Sequence, residues 1–143
     1  MKRTVYETDS DLEKELELIS LVSEKWQCSY FKLPISYKLD FALTRNDRIV
    51  SFVEVRCRNN SIDKYPTIIC AVNKRVKALE LSAATDVKSI FLVKYTDKIA
   101  YIDFAVKPDS ISIGGRTGKN RRDYEDVEPI CHYSVERLTL INM

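Results

Sequence analysis

The chain has 143 residues, 45% of them apolar and 31% charged, with a formal net charge of +2. That is enough length and apolar content to bury a core without disulfides or a structural metal. The near-neutral balance excludes a polycation, so any attraction to nucleic acid must come from uneven placement of charge.

Glycine and proline are scarce, which argues against low-complexity linkers. No apolar run is long enough to cross a bilayer, and Met1-Lys2-Arg3-Thr4-Val5-Tyr6-Glu7 lacks the apolar stretch of a secretory signal. The expectation is a cytoplasmic protein with no membrane partner, whose four cysteines (Cys28, Cys57, Cys70, Cys131) stay reduced. They never form the paired C-x-x-C of a zinc site and read most simply as small apolar residues. His132 is the only histidine, so a histidine-rich metal site is excluded.

In chain order, the first element is a helix over roughly Asp9 to Lys25. Thr8, Asp9 or Ser10 can cap it, and acidic residues crowd its first turns, where the helix dipole favours them. Leu12, Leu16, Ile19, Val22 and Trp26 recur at helical spacing as one apolar stripe. Ser29 to Leu33 is a brief strand ended by Pro34. Tyr37 to Thr44 and Ile49 to Cys57 are richer in β-branched and aromatic residues, and the polar turn Arg45-Asn46-Asp47-Arg48 makes them an antiparallel hairpin.

Asn59 to Tyr65 reads as a loop. From about Ile68 to Ala84 the pattern returns to helix, with Val72, Val76, Leu79 and Ala83 on one face. Ser89 to Tyr95 is a buried strand, and Lys98 to Phe104 its hairpin partner across Thr96-Asp97. Ser110 to Ile113 and Ile130 to Tyr133 are short strand candidates on either side of the charged loop Gly114 to Glu128. The order αβββαββ predicts an α/β or α+β sandwich around a central mixed sheet flanked by helices. No internal repeat or boundary divides the chain, so residues 1–143 are expected to form one domain, with a core over about 9–104 and a C-terminal extension over about 105–143.

The residues with chemical potential lie on the hairpin and the first helix. Strand side chains alternate, so Val50, Phe52, Glu54, Arg56 and Arg58 share one face. Asp40 joins that face when the connection contributes an odd number of residues, and two carboxylates then converge beside an arginine. At about 100° per residue, Glu15 falls within the apolar stripe of the first helix, whereas Glu13, Glu17 and Glu24 lie on the solvated side. A carboxylate aimed at a core needs a partner, and a metal or bridging cation is one candidate.

Asp40, fourteen residues before Glu54-Val55-Arg56, behind a helix bearing a core-facing glutamate, resembles the PD-(D/E)xK nuclease superfamily. The run from Leu39-Asp40-Phe41-Ala42-Leu43 to Phe52-Val53-Glu54-Val55-Arg56-Cys57-Arg58 is similar to small phage-encoded members. So, more faintly, are Gly114-Gly115-Arg116 and Asp126-Val127-Glu128-Pro129. The resemblance covers roughly Asp9 to Phe104 and implies a restriction-endonuclease-like core. It implies a divalent Mg or Mn ion held by Asp40, Glu54 and the backbone carbonyl of Val55, with Glu15 joining through water or orienting the site. It further implies a metal-dependent endonuclease hydrolysing phosphodiester bonds in DNA, located in the host cytoplasm if phage-encoded. A homodimer is compatible with cutting both strands of a duplex.

One position departs from the family. Arg56 stands where the family has lysine, and an arginine stays protonated and cannot serve as a base. Either Arg56 acts electrostatically, or the lysine has migrated, with Lys74 the candidate and Lys77 one turn on, or catalysis has been lost. The last outcome leaves a nuclease-fold module that binds nucleic acid or a protein.

Each assignment has a plainer alternative. Asp40 and Glu54 fit an exposed sheet face, Glu15 a salt bridge to Arg56 or Lys38, and Lys74 a solvated helix. Arg58, Lys74, Lys77, Arg116, Lys119, Arg121 and Arg122 are candidate phosphate contacts. The loop cations among them are also explained by solvation, since Asp123, Glu125, Asp126 and Glu128 follow directly. Gly114 to Lys119 falls short of a phosphate-binding loop, because the glycine spacing is one short and Asn120 replaces the required hydroxyl residue. His132, lacking an evident nucleophilic partner, reads as a packing residue. Tyr30, Phe31, Tyr37 and Tyr65 read as packing groups, with base stacking on Tyr37 or Tyr65 as the alternative.

Overall fold

A computed structural model describes residues 9–115 and 127–143. The first helix, α1, runs Asp9–Lys25, and the first strand, β1, Ser29–Lys32. A 3-10 turn at Ile35–Tyr37 precedes β2 (Phe41–Arg45) and β3 (Arg48–Cys57). Next come β4 (Thr67–Ala71), α2 (Val72–Thr85), β5 (Lys88–Lys94) and β6 (Ile99–Asp103). The chain closes with β7 (Ser110–Gly115), β8 (Val127–Ser134) and β9 (Thr139–Ile141).

The expected fold class holds: a central mixed sheet, in the order β1-β2-β3-β5-β6-β9, with helices on its faces. Only β3 and β5 run parallel in it, and the crossover between them carries β4 and α2. A second sheet, β4-β8-β7, lies outside the simple order αβββαββ.

Alternation along the strands divides the core in two. Phe41, Leu43, Val53, Val55, Ile90 and Leu92 face α1, which buries Leu18, Ile19 and Val22 against them. Ala42, Phe52, Phe91 and Val93 face the other way, toward Ala78 of α2 and Ile68, Cys131 and Tyr133 of the small sheet. Cys70 and Cys131 sit opposite each other across β4 and β8 within that second layer. Burial pushes the Cys70 thiol up to about 12, so it stays protonated and behaves as a small apolar group, as composition suggested.

Several elements differ from expectation for identifiable reasons. Ile68 to Ala71 is strand, and the helix begins only at Val72. A short apolar run fits either element, and pairing with β8 decides it. Along α2 the buried residue is Ala78, with Val72 and Leu81 packing partway, whereas Val76 is half exposed. Tyr37 to Asp40 is not strand: Lys38 takes a positive φ of 61° and ends the 3-10 turn. Phe31, Tyr37 and Tyr65 are exposed rather than packing groups, while Tyr30 packs edge-on against Phe41.

The hairpin of β2 and β3 has a feature that alternation alone does not reveal. Asn46 and Asp47 form its two-residue turn, both with positive φ (54° and 62°), the geometry that matches strand twist. From that turn the register pairs Thr44 with Ile49, yet Leu43 pairs with Ser51. Val50 is therefore a surplus residue, a β-bulge, and it packs partway against the α1 layer instead of sharing the face of Phe52 as expected. Beyond it Phe41 meets Val53, so both apolar sets face α1.

Deleting Val50 is expected to leave a regular hairpin with every other pair intact, shifting urea-unfolding stability by less than about 1 kcal/mol. Phe41→Ala, by contrast, is expected to cost about 3–5 kcal/mol. A Val50-deleted chain that loses as much as Phe41→Ala would show that the bulge is not slack in the register.

Candidate active site

β3 extends past the start of β2, and the site is built at that step. The Arg58 N–H donates to the Lys94 carbonyl of β5, so residues 54, 56 and 58 aim their backbone groups at β5. Val55 and Cys57 aim theirs the other way, toward β2. Because β2 begins only at Phe41, the Val55 N–H has no strand carbonyl to meet, and Oδ2 of Asp40 accepts it at 2.8 Å. That bond satisfies a donor whose loss would cost about 1–3 kcal/mol, and it fixes the direction of the Asp40 carboxylate. The Val55 carbonyl lies on this same edge of β3.

The ladder ends at the Phe41–Val53 pair; beyond it the Asp40 N–H donates to the Val53 carbonyl at 3.0 Å, and the Asp40 carboxylate lines the same cavity as Glu54. Glu54 is buried, only 5% exposed. Lys74, from the first turn of α2, places Nζ 3.3 Å from Oε1 of Glu54. The same ammonium donates to the Lys38 carbonyl, tying the β1–β2 connection to the helix. Lys32 approaches Oδ1 of Asp40 at 3.6 Å. Burial pushes the Glu54 carboxyl up to about 7, and the negative charge of Asp40 adds to the rise, while Lys74 and Arg56 oppose it.

Asp40, Glu54, Val55 and Arg56 line a cavity of about 410 Å³ together with Glu15 of α1. The helix brings its half-buried glutamate to the cavity that Asp40 and Glu54 line. Asp11, Lys14, Cys57 and Asn59 complete the lining. Asp11 was legible, lying one helical turn before Glu15; Asn59, in the loop after β3, carries no sequence signal. Arg56 lies 6.0 Å from the Phe91 ring centroid, a stacked cation on the sheet face shared with Glu54. Arg58 and Lys77 are half-buried and do not line the cavity. Arg116, Lys119, Arg121 and Arg122 lie outside the described residues. His132 approaches Ser112 through Nε2 at 2.6 Å on the small sheet, away from the carboxylates.

Among the described residues, no group of three or more His, Cys, Asp or Glu is arranged to hold a metal. Most of the donors at the cavity are hard oxygens, with the carboxylates of Asp11, Glu15, Asp40 and Glu54 in its lining. Oxygen donors suit an ion such as Mg²⁺, which commonly takes one or two carboxylates and retains water in its other positions.

The family model described as "Phage putative PDDEXK endonuclease" matches residues 1–141. The chain belongs to this family. Its nuclease-like character at the level of family follows, and the resemblance seen at Asp40 and Glu54-Val55-Arg56 agrees with it. The chain is also similar to the Holliday junction resolvase of Archaeoglobus fulgidus, an archaeal hyperthermophile, at 10% identity over 78% of each chain with a TM-score of 0.48. No curated protein matches this member of the phage endonuclease family. No helix among its described residues is long and apolar enough to cross a membrane.

The raised Glu54 carboxyl sets a pH dependence. Between its ordinary value of 4.5 and about 7 the folded chain holds a proton that the unfolded chain has released. The stability from neutral Glu54 is complete below about 4.5 and is lost as pH rises through about 7. Urea unfolding in metal-free buffer should show a decline on the order of 3 kcal/mol over this window. Glu54→Gln should flatten it. An unchanged decline in Glu54→Gln would assign it to another group.

Proposed function

We propose that this member of the phage endonuclease family hydrolyses phosphodiester bonds in DNA, with Asp40 and Glu54 holding a divalent Mg or Mn ion. The observation that carries the reading is that Asp40 and Glu54 line one cavity, with the ammonium of Lys74 beside Glu54. Glu15 and the Val55 carbonyl would add oxygen donors to the same pocket. A bound divalent ion supplies polarisation of the phosphate and a lowered pKa for its water.

The chain's own groups have distinct tasks. The Val55 N–H holds Asp40 in one orientation, so that carboxylate needs no reorganisation when substrate arrives. Lys74 offers a mobile, compact positive charge to the phosphate as negative charge develops on it. Arg56, stacked on Phe91, supplies a second, fixed positive charge but no base. Lys74 thus answers the departure at Arg56: the ammonium absent from the strand comes from the following helix. This geometry favours an active nuclease over a binding module that has lost its catalysis. Lys77, one turn on, and Arg58, beyond the cavity on β3, would engage flanking phosphates.

The test is cleavage of supercoiled plasmid and of single-stranded DNA with Mg²⁺, Mn²⁺ or EDTA. Metal-dependent cutting is expected, with Asp40→Ala and Glu54→Ala each slower by at least about a hundredfold and Lys74→Ala by roughly a hundredfold. Cutting that survives both carboxylate substitutions overturns the assignment. Full activity in Lys74→Ala removes the migrated-lysine role and returns the charge to Arg56.

A further inference from the structure

The connection between β1 and β2 carries an apolar side chain that packing does not use. Ile35 is 90% exposed, and Tyr37 beside it is 42% exposed. A lone exposed apolar residue is ordinary on a protein surface. Ile35 differs because its turn is held to the carboxylate site at every joint. The Leu33 N–H donates to the Asp40 carbonyl at 2.9 Å, closing the loop at its base. Within it, the Tyr37 N–H donates to the Pro34 carbonyl and the Lys38 N–H to the Ile35 carbonyl, at 3.0 and 2.9 Å. Buried Leu33 and Leu39 anchor its two feet. The Lys38 carbonyl then receives the Lys74 ammonium that also faces Glu54.

The surroundings suit a polyanion. Lys32 and Lys38 flank the turn, and Lys74 stands behind it. Ile35 lies two residues beyond Leu33, whose N–H is bonded to the Asp40 carbonyl, so the chain holds Ile35 on the order of 10 Å from Asp40. Base pairs follow one another every 3.4 Å or so along a duplex, so that reach spans about three steps.

We propose that Ile35 is a wedge that enters the base stack of a nucleic-acid duplex whose phosphate lies at Asp40 and Glu54, with Tyr37 stacking on a freed base. The proposal rests on the nuclease reading above and adds a substrate preference to it. Unstacking a base step costs a few kcal/mol, partly offset by stacking on an aromatic ring. A rigid turn loses little freedom on insertion. Duplexes with a mismatched or unpaired step near the cleaved bond already lack that stacking and are the preferred substrates.

The experiment uses the full chain and duplexes carrying 2-aminopurine, which brightens when unstacked, at successive positions, with Ca²⁺ as the ion. Wild-type protein is expected to raise emission at one or two adjacent positions by about threefold, and Ile35→Ala to abolish the rise while anisotropy still reports binding. With Mg²⁺ or Mn²⁺, Ile35→Ala is expected to increase the ratio of mismatched to fully paired cleavage by about tenfold, and Tyr37→Ala to do so more weakly. Cleavage by wild type without any brightening overturns the wedge and leaves the nuclease reading standing. Brightening without cleavage supports the wedge and removes the nuclease reading. Failure to bind the duplex overturns the wedge, as does a dimer in light scattering that Ile35→Ala converts to monomer, since a second copy would then cover this side chain.

Discussion

Two demands of opposite parity meet in the β2–β3 hairpin, and the site depends on how they are reconciled. The tight turn at Asn46 and Asp47 pairs residues whose numbers sum to 93, as Arg45 with Arg48 does. The apolar alternation requires a sum of 94, so that Phe41 and Val53 both face α1. A regular ladder running from the turn would set Phe41 against Phe52, two residues that belong to opposite layers of the core. One surplus residue at Val50 removes the conflict, at the modest cost of a local twist. The hydrophobic layer beneath α1 is therefore a consequence of this register, and the cavity lined by Asp40 and Glu54 lies where the ladder ends.

Electrostatics at the site follows from the same placement. Burial lifts the Glu54 carboxyl to about 7, and the negative charge of Asp40 nearby adds to the rise. The backbone answers one of them, through the Val55 N–H on Asp40, and a side chain answers the other, through Lys74 on Glu54. Those responses differ in kind. A main-chain donor cannot leave without unravelling the strand, whereas an ammonium on a four-carbon stem can move between Glu54, the Lys38 carbonyl and an incoming anion. Lys74 carries its charge on the helix, and Arg56 carries one on the strand beside the Phe91 ring.

Much of this was legible in the residues. Strong periodicity gave α1 its limits, and the β-rich runs on either side of Asn46-Asp47 located the hairpin and its acidic pair. The surplus residue was legible only as parity: an odd number was needed, and nothing in Arg45-Asn46-Asp47-Arg48 said that Val50 would supply it. Ile68 to Ala71 failed for a different reason. Four apolar residues running into a helix look like more helix, and the partner that makes them strand lies sixty residues away in β8. Tyr37 to Asp40 looked extended because its composition suits a strand, whereas Lys38 adopts a left-handed backbone that local propensity does not announce. The cavity itself gathers residues from α1, the start of β2, β3 and the loop beyond it, so only a folded chain defines its margin.

The first turn of α2 breaks the local rules for starting a helix. Ala71 stands at its cap with no side-chain hydrogen bond, no acidic residue follows, and Lys74 and Arg75 put positive charge at the positive end of the dipole. What holds this end is distant: Lys74 on Lys38 and Glu54, and Arg75 donating to the Phe104 carbonyl at 3.0 Å. Excised as a peptide, the segment would have little reason to coil, because a short helix without a cap nucleates poorly in water. Its helicity is borrowed from the sheet it covers, so the place of Lys74 beside Glu54 is a property of the assembled layers and not of the helix alone.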